Sequence, residues 1–221
     1  MKHHLNDGMN ESLKLTDVTK RYGASQHVLS GLNYEFKPGT ATGLVGENGS
    51  GKTTLLRLLS VAAFPTSGTI TYGSINIHEK PYEYLQSVGL VNDSSDLPQD
   101  LTAVELLEWI LRGRKRWNEI SQSEIMGLLD RLYLDERRYN LIGTYSSGML
   151  KKTQIALSLI VAPVILLMDE PFRGLDDATQ KTVLVQLQEF RNKGGILVVS
   201  SHMKSILETL CDDFLNLPIR A

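Results

Sequence analysis

One cysteine in 221 residues, Cys211, excludes an internal disulfide and with it the small stapled scaffolds of secreted proteins. It falls in a run of helical pattern, SILETLCDDFL, where a buried thiol is expected, and a reducing cytosol suits that usage. An excess of one charge is also missing. The formal net charge is -2 and no long single-sign block occurs, so the basic footprint of a nucleic-acid partner is absent. The exception is Arg112, Arg114, Lys115 and Arg116 after the apolar helical run TAVELLEWILRG. Cations on the last turn of a helix, favoured by its dipole, are the expected reading, with contact to a partner or to lipid headgroups as the alternative. No apolar run approaches the ~20 residues that span a bilayer. The opening MKHHLNDGMNES lacks the apolar core of a leader, and residues 1–12, with His3 and His4, read as a solvated polar tail. No internal repeat or low-complexity tract occurs. The apolar share of 42 % is ample for a buried core.

Three short runs are apolar throughout and end in polar residues: ATGLVG (41–46), VILLMDE (164–170) and ILVVSSH (196–202). Such runs read as strands covered on both faces, hence a parallel sheet, and ligands gather at the carboxyl ends of such strands. Helical periodicity follows the first run (TTLLRLLSVAA) and separates the other two (DDATQKTVLVQLQEFRNK), which is the α/β alternation. SLKLTDVTKRYG, HVLSGLNYEFKPG and GTITYG alternate and stop at Gly or Pro, predicting a small antiparallel sheet at the front. Between about Tyr82 and Tyr145 only helices are expected, LTAVELLEWILRG and SQSEIMGLLDRLYL among them. With GENGSGKT (46–53), a G-x-x-x-x-G-K-[ST] loop, between the first of these strands and its helix, the expected architecture is an α/β P-loop core with a mostly parallel sheet, a small N-terminal antiparallel β subdomain and an inserted helical subdomain at about 82–160. One domain covers 13–221.

GENGSGKT, from Gly46 to Thr53, matches G-x-x-x-x-G-K-[ST] between a strand and a helix. Its glycines let backbone N–H groups turn around phosphate oxygens, Lys52 sets a cation by the β and γ phosphates, and Thr53 offers a hydroxyl to Mg²⁺. Asp169 follows four apolar residues, the Walker B pattern, and supports a Mg²⁺ shell. Glu170 beside it can polarise a water against the γ-phosphate, a role that contributes on the order of 10²- to 10⁴-fold in rate. Without a strand in the same sheet, a lone histidine such as His202 is more often structural. Here its strand belongs beside that of Asp169, which brings the imidazole to the same edge. Hydrolysis is therefore favoured over transfer to a small acceptor.

Taken together these residues resemble the nucleotide-binding subunits of ATP-binding cassette (ABC) transporters, from about Leu13 to Leu217. The resemblance implies that Tyr22 in KRYG stacks on adenine. It makes Gly46, Glu47, Asn48, Gly49, Ser50, Gly51, Lys52, Thr53 and Thr54 the Walker A loop, Gly174 to Asp176 the D-loop and His202 the switch histidine. YSSGM (145–149) stands where the family signature, usually LSGGQ, is expected. There the family packs two subunits head to tail, so Ser146, Ser147 and Gly148 would contact the γ-phosphate of the partner's ATP from a helix N-terminus. A serine at that place also caps its helix.

Two departures stand out. Tyr145, Ser147 and Met149 replace the commoner Leu, Gly and Gln, a variant similar to those of several export-type ABC ATPases. In VGLVNDSSDLPQDLT, counting nine residues back from Thr102 lands on Asp93, where the family has a glutamine that ligates Mg²⁺. Asp supplies a hard oxygen but is shorter and adds a negative charge. Asp93 is the expected metal ligand, with Gln99 as the alternative in a shifted loop.

The resemblance thus implies an ATPase using ATP and Mg²⁺, a homodimer or heterodimer of such subunits, and integral membrane partners that dock beside residues 93–102, near Leu106, Leu107 and Trp109. It also implies a cytoplasmic place, peripheral to the membrane, with export favoured and no nucleic acid. The rival from another class is a soluble ABC ATPase of chromosomes. Only 93 positions separate Thr53 from Ser146, without sustained heptads, which leaves no room for the long coiled coil of those proteins. A small-molecule kinase leaves the signature, Glu170 and His202 unexplained. The short stretch after His202 argues against an appended regulatory domain.

Overall fold

The computed structural model describes residues 11–23, 26–93 and 96–218, Gln26 and His27 through their backbone alone. The polar tail expected at 1–12 falls outside the described residues up to position 10. In chain order the elements are β1 (Leu13–Tyr22), β2 (Gln26–Phe36), β3 (Ala41–Val45), α1 (Lys52–Leu59), β4 (Ser67–Tyr72), β5 (Ile75–Asn76), α2 (Pro81–Leu85) and β6 (Val88–Val91). Then come α3 (Ala103–Gly113), α4 (Ser121–Arg131), a 3-10 turn (Ile142–Thr144), α5 (Ser147–Ile160), β7 (Ile165–Asp169), α6 (Asp177–Asn192), β8 (Ile196–Ser200), α7 (Lys204–Leu210) and β9 (Asp213–Asn216).

The strands form an antiparallel sheet in the order β2-β1-β4-β5 and a parallel sheet in the order β6-β7-β8-β3-β9. All neighbours in the second sheet run parallel, so each connection crosses over through helix. The continuous apolar runs are explained by burial on both faces. Ile165 and Leu167 of β7, with Ile196 and Val198 of β8, pack toward Leu55, Leu58 and Leu59 of α1 and toward Leu13, Leu15 and Ile70 of the antiparallel sheet. Leu166 and Met168, with Leu197 and Val199, pack toward Leu106 and Leu107 of α3, Ile155 of α5 and Leu187 of α6. The period of two in a strand divides one run between two cores.

Two strands depart from the expectation. The segment expected to be wholly helical contributes β6, the edge of the parallel sheet beside β7. A four-residue run, VGLV, is too short for periodicity to separate strand from helix, and tertiary pairing decides it. Gly89 permits the close packing of α5 there: a Cβ would lie 2.3 Å from the Ser158 carbonyl oxygen. At the other end SILETLCDDFL is not one helix, because α7 stops at Leu210 and β9 pairs with β3. Only Leu215 of β9 is buried, so the strand leaves no apolar run to read. Cys211 caps α7, half-buried, and burial pushes its thiol up to about 12.

The arginine cluster is used internally. Arg114 donates to the carbonyls of Gln86 (3.1 Å) and Val88 (3.3 Å), and Arg116 to those of Val161 and Ala162. Arg112 bonds Glu108 and stacks over Trp117 at 4.2 Å. These cations tie the end of α3 to β6 and to the end of α5, whose last carbonyls need donors.

Candidate active site

β3 ends at Val45, and the loop from Gly46 to Gly51 delivers the chain into α1. Gly51, the residue before the helix, has φ 106°, a left-handed conformation that favours glycine. Gly46 is required by crowding: a Cβ would sit 2.3 Å from the Leu217 carbonyl oxygen and 2.4 Å from Ser50 Oγ. No side chain caps α1, so its first N–H groups face an anion-binding position. Lys52 Nζ folds over the loop and donates to the carbonyls of Gly46 (2.7 Å) and Glu47 (3.0 Å).

The register of the parallel sheet sets Asp169 of β7 opposite Ser200 of β8. Ser200 Oγ donates to Asp169 Oδ1 at 2.5 Å, and Thr53 Oγ1 donates to Asp169 Oδ2 at 2.8 Å. Glu170 has φ 49°, an uncommon backbone for a non-glycine residue, and its N–H is held by the Ser200 carbonyl (3.2 Å) and Oγ (3.1 Å). Its Oε2 accepts from the His202 N–H at 3.2 Å. Its Oε1 is buried without a hydrogen-bond partner among the described residues, and His202 Nε2 stands 3.4 Å away, a contact that becomes an ion pair on protonation of the ring.

These residues share one pocket of about 550 Å³. Tyr22, Asn48, Gly49, Gly51, Lys52, Thr53, Thr54, Asp93, Asp169, Glu170 and His202 all line it. Tyr22 is half-exposed, with Lys20 Nζ 4.9 Å from its ring centre. Gly46, Glu47 and Ser50 belong to the loop but do not line the pocket. Asp93 Oδ1 accepts from Arg173 Nη1 at 3.1 Å across this space. Gln99 does not reach it, and its carbonyl instead accepts the Gly143 N–H at 3.0 Å. A larger cleft of about 940 Å³ lies between α4, the end of α5 and α6 and contains none of the motif residues, so size does not mark the chemistry.

Ser146, Ser147, Gly148 and Asp176 are not brought to this pocket. Ser146 caps α5, its Oγ accepting the Met149 N–H at 3.3 Å, while Tyr145 is buried with its hydroxyl on the Arg137 carbonyl. Asp176 caps α6 through the Thr179 N–H (2.9 Å) and hydroxyl (2.8 Å), and Lys152 Nζ pairs with it at 3.1 Å. The Thr179 N–H and hydroxyl, with smaller help from Lys152, hold its carboxyl well below the usual aspartate range. The two turns touch: a Cβ on Gly148 would lie 2.7 Å from the Gly174 carbonyl oxygen.

Three residues around the pocket escaped the sequence motifs. Ser200 is fully buried and holds both Asp169 and Glu170. Its signal was a polar residue closing an apolar strand. Arg173 lines the pocket three residues after Glu170. Lys151, buried on α5, donates to the Asn92 carbonyl at 2.7 Å; burial pushes its pKa down, and Asp93 and Asp169 partly restore it.

A family model described as ABC transporter matches residues 29–173. The chain belongs to the ABC transporter family. It is 33 % identical over 204 residues to the ABC transporter ATP-binding protein YybJ of Bacillus subtilis, covering 92 % of this chain and 90 % of that protein. It is 34 % identical over 208 residues to the bacitracin transport ATP-binding protein BcrA of Bacillus licheniformis, covering 92 % and 66 %. With the Nod factor export ATP-binding protein I of Burkholderia orbicola it shares 31 % over 196 residues, covering 89 % and 64 %, so the chain spans about two thirds of these longer relatives. Among solved structures, an ATP-binding subunit of an ABC transporter superposes with a TM-score of 0.87 at 26 % identity, over 93 % of this chain and 85 % of the other. A dimeric ATP-binding cassette in a post-hydrolysis state with ADP and Pi superposes with a TM-score of 0.82 at 26 % identity, over 93 % and 94 %. The expected α/β P-loop fold is thereby borne out, and the activity is that of an ABC ATPase, binding and hydrolysis of ATP. Among the described residues no helix is long and apolar enough to cross a membrane.

Proposed function

We propose that this ABC ATPase works as the motor of a membrane exporter. Two subunits close over two ATP molecules, hydrolysis reopens them, and membrane-spanning partners convert that motion into substrate export. The observation that carries the hydrolytic half is Glu170 Oε1, a buried carboxylate oxygen that has no hydrogen-bond partner among the described residues and stands in the wall of the pocket that holds Lys52 and Thr53. An unpaired buried acceptor is costly, and a water placed by ATP would satisfy it.

In this mechanism the loop amides and the N-terminus of α1 receive the phosphates, and Lys52 leaves the carbonyls of Gly46 and Glu47 for phosphate oxygens. Glu170 Oε1 accepts a proton from the attacking water. His202, which supports Oε2 through its backbone N–H, orients the water or the γ-phosphate through its exposed ring. Tyr22 at the pocket margin offers its face to the adenine.

Mg²⁺ fits the donors present. Thr53 Oγ1 and Asp169 are hard oxygen ligands 2.8 Å apart, and Asp93 stands across the pocket with Oδ1 given to Arg173. Mg²⁺ keeps several waters and draws on substrate phosphate, so one or two protein oxygens suffice to hold it. Bound there, Mg²⁺ supplies charge neutralisation at the β and γ phosphates.

Ser146, Ser147, Gly148 and Asp176 complete the site from a second subunit in this reading. Their absence from the pocket of their own chain supports it, as does the dimeric state of a structural neighbour. The name of a relative concerned with Nod factor export supports export, and that of one concerned with bacitracin transport supports transport. Integral membrane partners and a peripheral place on the cytoplasmic face belong to the same reading. The test is product analysis. Wild-type protein with ATP and Mg²⁺ is expected to release free phosphate with no phosphorylated acceptor, and Glu170→Gln to lose on the order of 10²- to 10⁴-fold in turnover. A Glu170→Gln enzyme of normal turnover refutes the assignment.

A further inference from the structure

We propose that Arg173 is an ATP-selective phosphate ligand, which exchanges its Asp93 partner for the γ-phosphate of ATP. This rests on the ATPase reading above and adds to it a residue that separates ATP from ADP.

Backbone geometry fixes where Arg173 starts. Its N–H donates to the Glu170 carbonyl at 3.3 Å, closing a turn that begins on the proposed base, and fully buried Phe172 pins that turn to the core. The side chain therefore projects from a rigid point beside Glu170 and lines the same pocket as Lys52 and Thr53. Among the described residues its guanidinium bonds Asp93 alone, through Nη1. Four further N–H donors of the fork remain for a phosphate, whose oxygens match that geometry.

The Asp93 pair is poorly suited to being a permanent structural bond. Both side chains are well exposed, 69 % and 50 %, and exposed ion pairs contribute little to stability. Exchange of one anion for a more highly charged one is therefore cheap.

Charge balance supplies the need. Three carboxylates line the pocket, Asp93, Asp169 and Glu170, against the cations Lys52 and Arg173. Lys151 is also within electrostatic reach, but it is buried and committed to the Asn92 carbonyl. A triphosphate entering beside three carboxylates meets repulsion that adds to the work of the loop amides and Lys52, and among the described residues Arg173 is the remaining exposed cation of the pocket lining. ADP lacks the group that Arg173 would grip, so the contribution falls on ATP.

The experiment measures ATP and ADP affinity by displacement of a fluorescent nucleotide from the full chain, in EDTA so that metal ligation by Asp93 does not enter. Arg173→Ala is expected to weaken ATP about tenfold, the size of one charge-assisted phosphate contact, and ADP less than about twofold. Asp93→Ala frees the guanidinium and is expected to tighten ATP a few-fold. Equal weakening of both nucleotides by Arg173→Ala, or none, overturns the proposal. Lys52→Ala separates the two levels: retention of both nucleotides by that variant refutes the placement of the phosphates beside Lys52 on which the proposal rests. Their loss there, with an unchanged ATP preference in Arg173→Ala, refutes only the role of Arg173.

Discussion

Replacing Ser200 by alanine removes a single oxygen atom, yet that atom joins the two acidic residues to which the proposed mechanism gives Mg²⁺ and the attacking water. The Ser200 side chain is fully buried, donates to Asp169 Oδ1 and accepts from the Glu170 N–H at 3.1 Å. The loss falls unevenly. The Glu170 N–H keeps the Ser200 carbonyl at 3.2 Å, and Asp169 Oδ2 keeps Thr53, while Asp169 Oδ1 loses its donor at a site only 7 % exposed. A hydrogen bond to a buried charged group contributes about 1.5–3 kcal/mol, and removing so small a group adds little cavity cost. In a chain of this size about 2 kcal/mol corresponds to a fall in Tm of roughly 4–8 °C. Asp169 should also lose its fixed orientation, so turnover drops together with stability. Thermal melting by circular dichroism and phosphate release are the two assays. A Ser200→Ala protein that melts within about 1 °C of wild type and turns over normally refutes the view that Ser200 positions both carboxylates.

Gly89→Ala should destabilise the fold by about 1–3 kcal/mol through overpacking, since the added Cβ meets the Ser158 carbonyl of α5 at 2.3 Å and Leu166 Cδ2 at 2.7 Å; urea unfolding measures it. Asp176→Ala should cost about 1 kcal/mol as a lost helix cap and flatten the acid limb of the stability profile. The sign follows from the lowered carboxyl of Asp176: its contribution is present above the ordinary aspartate value of 3.8 and lost as pH falls through the lower folded value. Melting curves from pH 6 downward should converge for wild type and Asp176→Ala, and a constant difference at all pH values contradicts the assignment.

The parts of this protein most legible in its sequence are those in which one run of residues carries the whole signal. ATGLV, ILLMD and ILVVS are apolar because both faces are covered, and GENGSGKT is glycine-rich because its backbone turns where side chains would collide. Thr102 and Glu105 announce the start of α3 by closing a reciprocal capping box. What escaped depends on distant partners. β6 and β9 are strands because neighbouring strands accept them, not because VGLV or DFLN carries a strong pattern. Ser200 matters through a register with Asp169 across 31 residues of chain, and the Arg114 and Arg116 cluster is structural because its carbonyl partners lie far away in sequence. At Asp93, spacing indicated the position, but the Arg173 partner appears only once the two loops face each other.

The central claim is that one chain carries half of each ATP site, with Ser146 serving a second subunit. The most direct test is gel filtration of Glu170→Gln with ATP, with and without the added change Ser146→Arg. The account predicts an ATP-dependent dimer for Glu170→Gln and monomers for the double variant, since a bulky cation at the cap of α5 would block the partner's γ-phosphate. An undiminished ATP-dependent dimer in the double variant would contradict it.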